Sequence, residues 1–467
     1  TGAVGTALTY NPTLPVYTDY TRNSAGLTMY NGYTTLVDAT GQPLANSPDN
    51  PVAMLHEIDN TSSIYRSNGN LQIDYALHFL PELHLNLNLG YDVSKNETTS
   101  VTAKNSPQAW RGNYRDGAGT VYNKYELQRN TMLDFYANYK KDFEAIKSNL
   151  DVMVGYSWQR FDFHGNDKTR INTLGFTYAY DPATGAYGFE EDPATADHLN
   201  KAYGDDPNYV YHWAQQLNLV SFFGRLNYSF DDTYLLTFTL RNDGTSRFSP
   251  DTRWGLFPAV ALGWKLLNMP FMEKVRDNMN EFKLRLGWGV TGQQAVGGYF
   301  PYIPVYTQSN PSVQYPNPNG YNEPWINPLY PNAYNEEIKW EETTTWNAGM
   351  DFAFMNNRIT AAIDYYFRES KDLLSEVDVP AGTATTNRLV QNFGSLENQG
   401  VELNVTARPI VNKDLTWTVN YNVAYNKNKI TKLNNDGTMV KVGDIAGGTG
   451  NKVQAHMVGY PANSFLL

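Results

Sequence analysis

"LTWTVNYNVAY", residues 415–425, sets Leu415, Trp417, Val419, Tyr421, Val423 and Tyr425 on alternate positions, with Thr416, Thr418, Asn420 and Asn422 between them. A period of two is that of a β-strand, whose successive side chains point to opposite faces. The second face decides the fold. A sheet that turns one side to bulk water is expected to carry Lys and Glu there, whereas this stretch carries small amides and hydroxyls.

The same pattern recurs along the chain. It runs through Leu71–Phe79, Leu83–Tyr91, Leu133–Tyr139, Leu150–Trp158, Val220–Phe230 and Tyr234–Leu240, then Val260–Leu266, Phe282–Val290, Trp346–Phe354, Ile359–Phe367 and Val401–Ala407 before the opening stretch. That makes twelve strands. Short turns are expected at 80–82, 141–148, 231–233, 267–280, 355–357 and 409–414. The segments 94–128, 162–216, 293–339 and 372–397 show no sustained periodicity, and only the link at 242–252 is brief. Compact soluble domains rarely carry several structureless connections longer than about 15 residues on one end of a sheet. The fold class that fits is an all-β, antiparallel, up-and-down transmembrane barrel, with bulky residues toward hydrocarbon and Asn86, Asn88, Thr237, Thr239, Gly287, Gly289 and Thr360 toward a watery bore.

Composition agrees. Aromatics make up 14 % of the 467 residues and 34 of them are Tyr, while charged residues are only 18 %, so strand formers are plentiful. A net charge of −11 lacks the basic footprint that neutralises phosphates, so no nucleic-acid partner is expected. With zero Cys, disulfides and thiolate chemistry are excluded. The richest apolar run, Trp254–Trp264, has eleven residues with Gly and Pro inside, short of the roughly 18 that a membrane helix needs. The chain starts "TGAVGTALTY", with neither a charged n-region nor an apolar h-region, so no targeting signal is read.

Motifs that resemble chemistry read as structure. "GWGVTG" (287–292) matches G-x-G-x-x-G, but no amphipathic helix follows and no acidic residue lies about 20 positions on. "GGTGNK" (447–452) lacks the Lys-Ser/Thr pair of a phosphate loop, and "NNDGT" (434–438) lacks the remaining calcium ligands. The adjacent carboxylates at 190–191, 205–206 and 341–342 suit solvated loops or opposite strand faces better than a glycosidase pair. No H-E-x-x-H or G-x-S-x-G occurs, so neither a catalytic residue, a metal site nor a cofactor is expected.

Two loops are candidates for recognition. Residues 293–339 hold eight prolines between Pro301 and Pro331, interleaved with Tyr302, Tyr306, Tyr315, Tyr321, Trp325 and Tyr330. Such a stiff aromatic loop can stack on sugar rings at low ordering cost, although the same rings can pack against neighbouring loops. "AWRGNYRDG" (109–117) offers Trp110, Arg111, Tyr114 and Arg115, with loop–loop salt bridging as the bland alternative. The ligand-contact set is thus Trp110, Arg111, Tyr114, Tyr315, Tyr321 and Trp325. In "LRNDGTSRFSPDTRWG" (240–255), the charges at Arg241, Asp243, Arg247, Asp251 and Arg253 are expected to pair across the rim rather than bind substrate.

The stretch Tyr234–Leu266 resembles a segment of SusC-like, TonB-dependent outer-membrane transporters of Bacteroidetes, and 282–294, 338–374 and 395–410 look like successive barrel segments of that family in order. "NPVAMLHEIDN" (50–60) and "GYPANSF" (459–465) are similar to flanking pieces. What this resemblance implies is a 22-stranded barrel with an N-terminal plug, a SusD-like surface lipoprotein as lid, and energy delivered by TonB through the plug. The plug, the TonB-contacting segment and about ten C-terminal strands have no counterpart in the 467 residues, which therefore read as an internal barrel portion. The implied function is import of oligosaccharides across the outer membrane, the wall facing outer-membrane lipid. Peptide import by the same family, a secreted all-β carbohydrate-binding protein or hydrolase, and a passive twelve-stranded porin are the alternatives.

Overall fold

The computed structural model describes all residues except 1, 20–27, 40, 45, 112–116, 173–175, 182–185, 192–200, 203–210, 296–297, 309–314, 317–325, 327, 379–387, 434–438, 445–451 and 467, and describes the backbone alone at the others within 171–211 and at 307–308, 376–378, 388 and 444. One antiparallel path joins twelve strands in sequence order. They are β1 (Ile58–Leu77), β2 (Leu80–Thr102), β3 (Gly119–Phe143), β4 (Ser148–Asn172), β5 (Tyr211–Phe230), β6 (Tyr234–Thr245), β7 (Trp254–Lys265), β8 (Met279–Gln293), β9 (Glu341–Phe354), β10 (Ile359–Asp378), β11 (Arg388–Val411) and β12 (Thr416–Lys432). Among the described residues the path has two ends, β1 and β12, with no pairing between them. The expected number and order of strands hold.

Two expectations need correction. The first hairpin turns at His78–Phe79 rather than at 80–82, and Leu80, Pro81 and Glu82 open β2 instead. Proline is tolerated there because the start of a strand does not require its missing N–H. The connections taken as structureless are also partly strand: β2 runs on to Thr102, β4 to Asn172, β10 to Asp378, and short hairpins form at 176–191 and between Tyr306–Gln308 and Leu329–Pro331. Beyond the apolar band both faces meet polar surroundings, so the side-chain alternation lapses while the backbone ladder continues. Tight turns use residues with positive φ, at Asp231 and Asp232 between β5 and β6 and at Met355, Asn356 and Asn357 between β9 and β10. Asp and Asn tolerate that left-handed region best among non-glycine residues.

Register turns the alternation into two continuous faces. One row runs Tyr228–Leu236–Leu262–Leu286–Ala348–Tyr365–Val401–Tyr425 across eight strands, every member apolar or aromatic. The adjacent row on the other face runs Asn227–Thr237–Ala261–Gly287–Asn347–Tyr366–Gly400–Asn426. The bulky rows are exposed rather than sealed in a core: Leu286 is 57 % exposed, Trp346 56 %, and Tyr425 69 %. Among the described residues a buried hydrophobic cluster, Phe248, Phe257, Ile338 and Trp340, sits at the loop end of the sheet.

On the polar face a charged hub ties three strands. Arg285 of β8 reaches Asp351 of β9 through Nε and Nη2, both at 2.8 Å, and Asp364 of β10 through Nη1 and Nη2 at 2.9 and 3.0 Å. Gly349 lies between Arg285 and Asp364 in the register, and a Cβ there would fall 2.4 Å from an Asp364 oxygen and 2.8 Å from the guanidinium carbon. The glycine is the gap through which the fork crosses a strand.

The chain forms two compact units, Thr1–Gly69 with Tyr91–Asn130 and Phe161–Gln216, and Asn70–Gly90 with Thr131–Arg160 and Leu217–Leu467. In the first, α1 (Gly2–Thr9) and α2 (Pro51–Glu57) precede β1. Helix α2 is capped by Asn50, whose side chain accepts from Val52 and Ala53 N–H at 3.1 and 3.3 Å. In the second, a small sheet of Val440–Asp444, Lys452–His456 and Ser464–Phe465 follows β12. The segment beside it hydrogen-bonds the free edge of β12, with Ile430 N–H donating to Tyr460 O and Gly459 N–H to Ile430 O.

Gly349→Val is expected to lower stability by about 1–3 kcal/mol, as clash and lost ion pairs combine. Chemical unfolding in detergent against an Asn347→Val control, two residues away on the same face of the same strand, checks it.

Candidate ligand site and barrel wall

The predicted contact residues separate by unit. In the first unit, α3 (Pro107–Arg111) carries Trp110 and Arg111. Trp110 is 1 % exposed: its Nε1 donates to Asn105 Oδ1 at 3.1 Å and its ring meets Tyr30 edge-on with centroids 6.1 Å apart. Asn105 Nδ2 in turn donates to Thr28 O at 2.8 Å and Asn31 Oδ1 at 3.1 Å. The indole therefore locks the 103–111 loop to the 28–31 segment and offers no face to a ligand in this conformation. Arg111 donates from Nη1 and Nη2 to Ser47 O and Oγ at 2.6 and 2.7 Å, and its Nε lies 2.8 Å from Asp49 Oδ1, paired by charge without an aligned hydrogen bond. Tyr114 lies outside the described residues.

In the second unit Tyr315 is 60 % exposed and its backbone exchanges two 2.9 Å hydrogen bonds with Ile326. Among the described members of the set it is the one presented to solvent. Tyr321 and Trp325 lie outside the described residues.

A site of which the sequence singles out only Arg241 and Asp243, as rim charges, lies on the polar face of β4–β6. Ser157 and Gln159 of β4, Leu219 and Ser221 of β5, and Arg241 and Asp243 of β6 line a cavity of about 190 Å3 with Gln294 and Trp340. Arg241 Nε donates to both Asp243 oxygens at 2.6 and 2.8 Å, and Nη2 donates to Ser221 Oγ at 2.8 Å. This pairing runs along one strand and to its neighbour, which corrects the expected pairing across the rim. Arg247 instead donates to Gly298 O at 2.6 Å and stands over Tyr299. Trp340 is fixed by its Nε1 bond to Arg253 O at 2.9 Å and by edge contacts to Phe248 and Phe257. Gly255 and Gly292 make room for Phe257, which a Cβ at either would strike at 2.4 or 2.1 Å. "GWGVTG" is thus strand β8 running to a packing glycine. The available signal was parity, since Arg241 and Asp243 share the face of Thr237 and Thr239.

The family "TonB dependent receptor-like, beta-barrel" matches residues 3–463. The chain belongs to that family. It is 40 % identical over its full length to the TonB-dependent receptor SusC of Bacteroides thetaiotaomicron, and 32 % identical over 65 % of its length to the TonB-dependent receptor P39 of Formosa agariphila. It spans 44 % and 27 % of those relatives, respectively. Among solved structures, the RagAB peptide transporter superposes with a TM-score of 0.70 at 21 % identity, covering 96 % of this chain and 46 % of that one, a likeness of fold. This SusC-like barrel is an outer-membrane protein, and its family members are not enzymes, so the secreted-hydrolase alternative falls.

The two faces now have solvents. On β8 the apolar band covers Phe282, Leu284, Leu286, Trp288 and Val290, nine residues from end to end. That matches the roughly 9–11 tilted residues that span a bilayer. At its loop end the row Val290–Thr344–Glu369–Glu397–Lys429 turns charged, marking the edge of the hydrocarbon. Trp288 and Trp346 pair just inside that edge, with rings 6.0 Å apart.

Leu262→Arg, on the lipid row, is expected to cost about 2–4 kcal/mol of folding free energy in liposomes, while Thr237→Arg on the bore row stays near neutral. Urea titration of the two variants compares them. A second expectation concerns Asp49, whose carboxyl burial raises above the ordinary range by more than the Arg111 charge lowers it. A raised folded pKa makes this group's contribution fullest in acid and lost as pH rises through that pKa. Amide exchange at residues 46–50, corrected for intrinsic rates, should therefore be slower in acid than at neutral pH, with the difference abolished in Asp49→Asn.

Proposed function

We propose that the chain is the central wall and loops of an outer-membrane importer of oligosaccharides. In this reading it supplies twelve strands of a larger, 22-stranded barrel, works as the SusC-like partner of a SusD-like lipoprotein, and is energised through TonB acting on a plug domain elsewhere in the full protein. The observation that carries it is the two-faced wall: exposed apolar rows beside a bore face of Asn, Thr and Gly that opens into the Arg241–Asp243 cavity. Hydroxyl and amide groups around a fixed tryptophan suit sugars, which present hydroxyls at the edge and C–H groups on the face. The name of the SusC relative and its identity over the full chain support the same reading.

Within the loops, the proposed contacts are Arg111 and Tyr114 in the first unit and, separately, Tyr315, Tyr321 and Trp325 in the second, while Trp110 holds α3 in place. The bore cavity is the second contact. Peptide cargo is the other reading, favoured by the Arg241–Asp243 charge pair, which can serve a peptide backbone and its termini as well as a sugar.

The test uses the full-length gene product in its native cell. Uptake of labelled oligosaccharide is expected to stop when the proton gradient is collapsed, and Arg241→Ala with Gln159→Ala is expected to weaken oligosaccharide binding by about tenfold or more, roughly 1.4 kcal/mol. Uptake that survives collapse of the gradient rules out the energised importer. Uptake of peptides in place of sugars selects the second reading.

A further inference from the structure

The bore face balances its arginines with carboxylates at two places, Arg285 with Asp351 and Asp364, and Arg241 with Asp243. Arg225 of β5 and Arg368 of β10 have no such carboxylate among the described residues, and of the two it is Arg368 that rests on an aromatic ring. Among the described residues no carboxylate lies within ion-pair distance of it, and its neighbour Glu369 pairs with Lys371 at 2.9 Å instead. The guanidinium carbon of Arg368 stands 5.0 Å from the centroid of the Tyr366 ring.

The surroundings are built around that pair. Tyr366 lies across Gly400, where a Cβ would fall 2.6 Å from the phenolic oxygen, so the glycine lets the ring rest against the wall. Its hydroxyl donates to Asn426 Oδ1 at 3.1 Å. In the register Tyr366 has Asn347 on one side, and Arg368 has Thr345 and Asn398 on its two sides. Asn428 donates to Asn398 at 2.7 Å, which fixes that amide too. A cation with no counter-ion, held by a ring and bordered by amides, is poised for an anion. The guanidinium fork matches a carboxylate bidentately, and its stacking on the ring leaves less to order on binding.

We propose that Arg368 and Tyr366 form a subsite on the bore wall for a carboxylate carried by the cargo, as a uronic acid in an oligosaccharide or the C-terminus of a peptide. The amides of Asn347, Asn398 and Asn426 take hydroxyls or peptide groups beside it. This rests on the importer reading and narrows its cargo.

The test is binding to the purified full-length transporter in detergent, measured by calorimetry in two arms. One compares tetragalacturonate with a neutral tetrasaccharide of the same linkage, and the other a tetrapeptide with its C-terminal amide. In at least one arm the carboxylate form should bind tenfold or more tightly; Arg368→Gln should erase that gap, and Arg368→Lys restore part of it. The arm showing the gap identifies the source. Tyr366→Phe, which keeps the ring, should preserve most of it. Equal binding of acid and neutral forms in both arms, or a gap that survives Arg368→Gln, overturns the subsite. Energised uptake of a neutral oligosaccharide without any such gap leaves the importer standing and removes only this inference.

Discussion

Inside hydrocarbon, a backbone N–H or C=O has only other backbone groups to bond, and every feature of this wall answers to that constraint. It forces the strands into one continuous antiparallel ladder, and the ladder fixes register. Register then fixes faces, because a slip of one residue would carry Leu262, Leu286 and Tyr365 into the bore and bring Thr237, Gly287 and Asn347 into lipid. The exposed bulk of residues 415–425, unreasonable in water, is the ordinary surface of such a wall.

With the outer face committed to apolar side chains, all selective chemistry falls to the bore. There the strands do more than line a hole. The Arg285 hub spans β8 to β10 only because Gly349 stands aside, and Tyr366 rests on the wall only because Gly400 has no side chain. Each glycine weakens a strand by roughly 0.5–1 kcal/mol relative to Ala, and the polar contact that it admits is the compensation. Charges paired this way leave a bore that is polar yet largely neutral, and an arginine left out of the pairing becomes a strong local field in a confined space.

The strands were legible because the solvent on one face is hydrocarbon, which demands apolar residues at every second position. Where hydrocarbon ends, so does the signal: the outer ends of β2, β4 and β10 are strand in the structure but patternless in sequence. The first turn was misplaced for a related reason, since Pro81 reads as a turn residue unless the ladder is known to begin beside it. The bore cavity was illegible for another. Ser157, Ser221, Arg241 and Gln294 are ordinary residues on separate strands, and only register brings them together.

Aromatic loops carry the deepest ambiguity, because a tryptophan that stacks on a sugar and one that nails a loop to its neighbour have the same local sequence. Trp110 takes the second role through partners 5 and 80 residues away, Asn105 and Tyr30. Asn105 also binds the carbonyl of Thr28, so exposing the indole to a ligand would strand several buried polar groups at once. A loop held this firmly is a frame. In the proposed reading, recognition falls to rings that are already exposed, such as Tyr315, and to the bore face, where polar groups are offered without breaking anything that holds the wall together.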